Sequence, residues 1–98
     1  MKVKVDMATI KIKNVKQGEV LKVEGTGYLE CRLTFISEGS YKVLIKTENE
    51  EITVNGKGLS RILLSTDSFT LEFQSVEKDL KVVLNNIKDY FFDILSEN

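Results

Sequence analysis

The sequence predicts an α+β fold, in which a run of antiparallel strands is closed by one long C-terminal helix. Apolar residues alternate over residues 69–73, which is the period of a half-buried strand. From Val76 onward the gaps between apolar residues change to the three, four and seven of an amphipathic helix. The residues of this stripe are Val76, Leu80, Val83, Leu84, Ile87, Tyr90, Phe91, Ile94 and Leu95.

The size and composition of the chain predict a single domain over residues 1–98, with strands over about 3–73 and the helix over about 76–95. Hydrophobic residues make up 42% of the chain and charged residues 30%, as in an ordinary globular protein. The net charge of −1 gives no general attraction to nucleic acid or to a membrane surface. No apolar run is long enough to cross a membrane, and the first residues lack a secretory apolar region. We therefore expect an intracellular protein of the cytoplasm or nucleus.

Seven stretches of alternating apolar residues predict the strands, and polar or glycine-containing stretches predict the turns between them. The predicted strands are residues 3–7, 10–12, 21–23, 29–35, 41–45, 52–54 and 69–73. The predicted turns are residues 16–19, 48–51 and 65–68, with a hairpin turn at 37–40 and a stop at 55–58. Residues 59–64 fit either a strand or an irregular crossing.

The helix prediction has a candidate N-cap in Ser75 and an acidic first turn in Glu77, which suits the positive end of the helix dipole. Its interior contains mediocre helix formers, so packing against the sheet must supply much of its stability. A rival interpretation makes residues 80–84 and 90–95 two further strands. That interpretation puts Val83, Phe91 and Leu95 on the wrong face, and we prefer the helix.

The composition argues against an enzyme and against a metal or cofactor site. The chain has no histidine, which removes the commonest general base and metal ligand. Its single cysteine, Cys31, lies in phase with Leu29 and Leu33 and is expected to be a small core residue. The acidic residues at 48–51 lack the spacing of a calcium loop and are expected to form a solvated turn. The paired glycines at 25–27 and 56–58 open no helix after a strand, so they are not phosphate-binding loops.

Basic residues on outward strand positions are the more informative feature. If neighbouring strands bring Arg32, Lys42 and Lys46 together, one face of the sheet is positive. Aromatic residues for base stacking are missing from that face, because Phe35 and Tyr41 are predicted to point inward. An acidic peptide or protein tail is therefore a better expected partner than a nucleic acid, and the alternative is a mixed, solvated surface.

The order of these elements resembles the PH-like superfold, an antiparallel barrel of about seven strands capped by a C-terminal helix, and within it the Ran-binding domain and its nucleoporin relatives. Residues 21–27 (LKVEGTG) stand where that family has Trp-Lys-Glu-Arg-Gly-x-Gly. Residues 41–46 (YKVLIK) are similar to its Tyr-Arg-Leu-Leu-Met-Arg strand, and residues 52–55 to its short strand ending in asparagine. Residues 71–77 resemble its strand-to-helix junction. The family's tryptophan is replaced by Leu21, one arginine by Glu24, and two others by lysines.

The resemblance implies a non-catalytic module that binds a small GTPase of the Ran type through its acidic tail and acts in nucleocytoplasmic transport. The positions carried over as partner-binding residues are Lys22, Glu24, Thr26, Lys42, Lys46 and Asn55. It implies no cofactor and no metal. Two alternatives stay open: a PH-like module for a peptide or lipid headgroup, and a small structural or assembly β protein, such as a virion component, whose free strand edges pair with neighbours.

Charge reversal at Lys42 and Lys46 is expected to weaken binding of an acidic partner, because opposite charges attract across the interface. The loss should shrink as salt rises, since salt screens exposed charges. Titration calorimetry at low and high salt measures both effects. An affinity that does not change at low salt would contradict the basic-face hypothesis.

Overall fold

The computed structural model describes residues 2–5 and 9–86, and every regular element among them is a β-strand. Side chains are described for residues 12, 15–24 and 30–85. The strands are β1 (Lys2–Val5), β2 (Thr9–Val15), β3 (Val20–Thr47), β4 (Glu51–Val76) and β5 (Leu80–Asn86). Within this described part there is no helix that is long and apolar enough to cross a membrane.

The two long strands bend, and each is shared between two layers of the fold. We call the straight segments of β3 β3a (residues 20–24), β3b (29–37) and β3c (40–47). Those of β4 are β4a (51–57), β4b (58–66) and β4c (68–76). The segments follow the breaks in the pairing register, which shifts between Glu24 and Leu29 and between Ser37 and Ser40. Gly58, with a φ of 85°, lies at the bend between β4a and β4b, in a conformation that glycine adopts without strain.

The pairing of these segments gives two four-stranded antiparallel layers in one continuous curled sheet. The first layer has the order β4a–β3c–β4c–β3a, and β1 adds to β3a in parallel. The second layer has the order β4b–β3b–β5–β2. Along the chain, successive segments alternate between the layers, except at the hairpin from β3c to β4a, which pair with each other in the first layer. This half-barrel has the double Greek-key connectivity of a jelly roll.

The hydrophobic core of the described residues lies between the layers and explains why apolar and polar residues alternate along the strands. The first layer contributes Leu21, Val23, Tyr41, Val43, Ile45, Phe69, Leu71 and Phe73. The second contributes Val15, Cys31, Leu33, Phe35, Leu64, Leu80, Val82 and Leu84. All of these side chains are buried. The predicted inward faces of strands 29–35, 41–45 and 69–73 are thus confirmed wherever side chains are described.

The predicted C-terminal helix is wrong over its first half. Residues 80–86 form β5, which pairs with β2 on one side and with β3b on the other. Leu80, Val82 and Leu84 are fully buried, whereas Lys81 and Val83 are partly exposed, so burial follows the period of two. The helical stripe was misread because adjacent apolar residues at 82–84 satisfy both periods. Residues 87–95 of the predicted helix lie outside the described residues.

The predicted helix start has another role. Ser75 pairs with Lys42 in the ladder between β4c and β3c, so it is not an N-cap. Glu77 lies in the turn before β5, where its backbone N–H donates to the carbonyl of Ser40 at 3.0 Å. Its Oε1 accepts the N–H of Ser40 at 2.8 Å. The carboxylate that was expected to meet a helix dipole instead ties β4 to the bend of β3.

The predicted PH-like α+β architecture is wrong, because residues 80–86 form a strand where that fold requires the C-terminal helix. The predicted hairpin at residues 37–40 is wrong as well. Segments β3b and β3c do not pair with each other. The first pairs with β4b and β5, and the second with β4a and β4c. Residues 37–40 therefore carry the chain from one layer to the other. By contrast, the turns at 16–19 and 48–51 are confirmed: Glu19 N–H donates to Lys16 O at 3.1 Å, and Thr47 N–H donates to Glu50 O at 2.9 Å.

Replacing Val82 or Val83 by alanine separates the strand from the helix experimentally. Val82 is fully buried, so Val82→Ala is expected to lower the free energy of unfolding by about 2 kcal/mol. Val83 is partly exposed, and Val83→Ala should cost less than about 1 kcal/mol. Urea unfolding followed by circular dichroism measures both. The reverse ranking would support the helical stripe, which includes Val83 and excludes Val82.

Candidate protein-binding surfaces

The residues that suggest covalent or metal chemistry are not arranged for it. Cys31 is fully buried, and this desolvation raises the pKa of its thiol to about 12. A thiol that stays protonated at neutral pH is not a nucleophile. Among the described side chains, no group of three acidic or cysteine residues comes close enough to hold a metal ion. The acidic residues Glu48, Glu50 and Glu51 are exposed in and beside the turn.

Five of the six predicted partner-binding residues lie on one face, the outer surface of the first layer. Lys22 and Glu24 lie on β3a, Lys42 and Lys46 on β3c, and Asn55 on β4a. Lys22 and Lys46 flank Thr70 in the ladder, and Lys42 pairs with Asn55. The strands therefore bring together residues that are distant in sequence. The sixth, Thr26, belongs to residues 25–29, whose side chains lie outside the described part.

This outer face is mixed in charge rather than basic. Lys46 Nζ lies 2.9 Å from Glu72 Oε2. The hydrogen bond that Lys46 donates to Glu72, the negative charge of Glu72 and the charge of Glu51 all raise the pKa of the Lys46 ammonium group. Lys22 Nζ lies 3.8 Å from Glu24 Oε2. Carboxylates next to two of the three predicted lysines reduce the attraction that an acidic tail would feel.

A second surface, absent from the predicted set, is the open edge formed by residues 51–66. Segments β4a and β4b follow one another along this edge and pair with β3 on one side only. No other strand in the described part of the chain pairs with them. A strand edge with unpaired backbone groups is a template for another chain. The described fold thus leaves one long side of both layers available for pairing.

The direction of the backbone groups on β4a follows from the turn before it. Thr47 N–H donates to Glu50 O, so the next pair in register, Lys46 with Glu51, is not hydrogen-bonded. Because the two kinds of pair alternate, Ile52 and Val54 turn their backbone groups toward β3c. The N–H and C=O groups of residues 51, 53, 55 and 57 consequently point away from the sheet, toward the open side.

Side chains along the edge alternate in exposure. Residues 51, 53, 55, 57, 59, 61, 63 and 65 are exposed. Leu59 is 54% and Leu63 44% exposed, and Leu59 pairs in register with Ile36, which is 37% exposed. Ile52 and Val54 point the other way and lie only partly buried against the core. Both faces of the edge therefore present apolar surface that a further strand would cover.

A polar cluster under the edge holds the bend between β4a and β4b. The Tyr41 hydroxyl lies 3.0 Å from Gly58 O and 2.7 Å from Ser60 Oγ. The side chains of Tyr41 and Ser60 are buried. Tyr41 can thus donate to the carbonyl and accept from the serine. A Cβ on Gly56 would lie 2.5 Å from Ser60 Oγ and 2.8 Å from the Tyr41 ring. The close approach of the ring to the backbone requires glycine at this position.

An open groove of about 650 Å³ lies between the bend at residues 36–38 and residues 78–81, where the turn after β4 leads into β5. Its lining contains two cationic and two anionic residues as well as Ile36 and Leu80. Such a mixture favours no ligand of one charge. The edge is the better-defined surface.

The partner-binding residues predicted from the sequence do not define the edge, because they were chosen by resemblance to a family and not by which strands lack a neighbour. Part of the signal was present: residues 51–57 (EITVNGK) alternate polar and apolar residues without proline. The prediction that this strand stops at residues 55–58 hid its length, because the chain continues past Gly58 as β4b.

No family model, no curated protein and no solved structure matches the chain.

The shared hydrogen bond between Tyr41 and Ser60 is expected to appear in a double-mutant cycle. Tyr41→Phe should lower the free energy of unfolding by about 1–2 kcal/mol, because it removes a buried hydroxyl and leaves its partners unpaired. Ser60→Ala should also destabilise the fold. The double variant should lose less than the sum of the two, since both single changes break the same bond. Chemical denaturation measures the cycle, and simple additivity would contradict the geometry.

Proposed function

We propose that this chain is a non-catalytic assembly module that joins polypeptides by adding a strand to its open edge, residues 51–66. In strand addition, main-chain hydrogen bonds supply affinity, and the side chains along the edge supply specificity. The outward N–H and C=O groups of residues 51, 53, 55 and 57 are the observation that carries the proposal. We place this role inside the cell, in keeping with a single unpaired cysteine.

The edge lacks most of the features that keep natural strand edges from pairing. Such edges are usually short, interrupted by proline or covered by another element. Residues 51–66 contain no proline and span both layers of the fold. Charged residues occur at Glu51, Lys57 and Arg61. Leu59 lies between Lys57 and Arg61, Leu63 follows Arg61, and both leucines are exposed. An edge of this kind fits a structural or assembly protein, the alternative that sequence reasoning left open.

The buried, protonated Cys31 and the lack of histidine support a role without catalysis. A catalytic site needs a nucleophile or base poised by its neighbours. The thiol of Cys31, buried and protonated, is not poised in this way.

The second candidate is the small GTPase or acidic peptide that the family resemblance implies. The observation in its favour is the common face shared by Lys22, Lys42, Lys46 and Asn55. Two carboxylates on that face, Glu24 and Glu72, weigh against it. The PH-like barrel from which this candidate was inferred is not the fold of the chain, so the edge is the stronger proposal.

Proline at position 53 tests the edge. The N–H of Thr53 points to the open side, so Thr53→Pro removes an outward donor without removing a hydrogen bond between β4a and β3c. We compare three tagged chains, namely wild type, Thr53→Pro and the matched control Thr53→Ala. Each is purified from the source cells, and the polypeptides that are recovered with it are identified. We expect Thr53→Pro to lose the bound polypeptides and Thr53→Ala to keep them, with all three chains folded by circular dichroism.

Charge reversal at Lys42 and Lys46 is the opposing arm of the same experiment. The edge proposal expects this double variant to keep its partners. Loss of partners in this variant but not in Thr53→Pro would overturn it in favour of the acidic partner. Recovery of a small GTPase only with a non-hydrolysable GTP analogue would overturn it in favour of the Ran-type role.

A further inference from the structure

The first segment of the open edge has a charge pattern that matches itself in the antiparallel direction. Segment β4a begins with the acidic Glu51 and ends with the basic Lys57, and both side chains are exposed. Its outward residues in order are Glu51, Thr53, Asn55 and Lys57. When a second copy of this row runs in the opposite direction, a lysine lies opposite the glutamate and an asparagine lies opposite the threonine.

We propose that two copies of this chain pair through β4a in an antiparallel register centred on Val54. Glu51 of each copy then lies opposite Lys57 of the other, and Thr53 lies opposite Asn55. The inference rests on the proposed function, because it names the partner of the same edge. The contact has twofold symmetry, so each pair occurs twice, as in the commonest soluble dimers.

The backbone supports this register. Residues 51, 53, 55 and 57 all turn their N–H and C=O groups outward, so each facing pair exchanges two hydrogen bonds. The first layers of the two copies become one continuous sheet. Pairing ends where the edge bends at Gly58 into the second layer. The contact is therefore limited to the straight segment.

The side chains on the inner face also gain from the contact. Ile52 and Val54 are only partly buried in one copy. At the twofold centre, Val54 meets Val54 of the second copy, and Ile52 lies opposite Gly56. Apolar cross-strand contacts and removal of apolar surface from water both stabilise such a pair.

Charge selects this arrangement over its neighbours. Parallel pairing in register puts Glu51 beside Glu51 and Lys57 beside Lys57, which is destabilising. A shift of the antiparallel register by two residues in either direction puts Asn55 or Leu59 opposite Glu51, and both ion pairs are lost. Only the register centred on Val54 matches both charges.

The test uses the full chain and its charge variants in sedimentation equilibrium over a range of protein concentrations. Wild type is expected to form a dimer. Glu51→Lys and Lys57→Glu each replace two attractions by two repulsions, so each should weaken self-association by about tenfold or more. The difference should shrink at high salt. Asp67→Lys, which reverses an exposed charge outside residues 51–66, is the matched control and should dimerise like wild type.

Recombining the charges makes the test independent of folding defects. In a mixture, Glu51→Lys chains present two lysines and Lys57→Glu chains present two glutamates, so the two variants should form a heterodimer although each alone stays monomeric. The double exchange Glu51→Lys/Lys57→Glu should restore the homodimer. A monomeric wild type at millimolar concentration, or variants that all associate alike, would overturn the inference.

The outcomes also separate this inference from the proposed function. If wild type is monomeric but Thr53→Pro still loses bound polypeptides, the edge binds a different chain, and only the self-pairing is wrong. If the charge exchange behaves as expected while Thr53→Pro keeps every partner, the dimer stands and the assembly role through the edge is wrong.

Discussion

The antiparallel ladder between β3 and β4 is the constraint on which the rest of the structure depends. Both strands run through both layers, so one ladder, broken only at the bends, sets the register of the two layers at once. A shift by one residue would turn Phe35, Val43 and Leu71 from the core to solvent together. Because exposing these side chains to water is unfavourable, the positions of the bends are set together with the pairing. Strand β5 then fits between β3b and β2 because that position lets its alternate residues complete the core.

The position of the candidate edge, residues 51–66, follows from the same ladder. With β3 paired on both sides along β3b and β3c, β4a and β4b are left at the outside of both layers. The Tyr41 hydroxyl, held by Gly58 and Ser60, fixes the bend that divides this edge. Core packing, a buried polar cluster and an open edge are thus mechanically linked. A change that loosens the Tyr41 cluster should also disturb the segment through which we propose that chains associate.

Much of the local structure could be predicted, whereas the pairing could not. The alternation in residues 29–35, 41–45 and 69–73 identified their buried faces, because burial in a strand repeats every two residues. At residues 80–84 the adjacent apolar residues fit both periods, and the helix was the wrong choice. The hairpin at 37–40 failed for a different reason. A glycine-containing polar stretch marks a change of direction, and it does not say whether the next strand pairs with the last or crosses to another layer. The candidate edge was missed because lacking a neighbour is a property of the whole sheet.

The sequence by itself determined the buried faces of residues 31–35, 41–45 and 69–73, the predominance of strands before residue 74, and the lack of histidine. These properties are local or compositional, so they can be read along the chain. Only the tertiary structure decided that residues 80–86 are a central strand and that five of the predicted partner-binding residues share a face with Glu72. It also decided that residues 51–66 are an edge without a neighbour among the described strands. Each of these depends on contacts between residues far apart in sequence. Hydrophobic alternation is nearly the same for every strand here, so it specifies a buried face and leaves the choice of neighbour to the packing of the whole core.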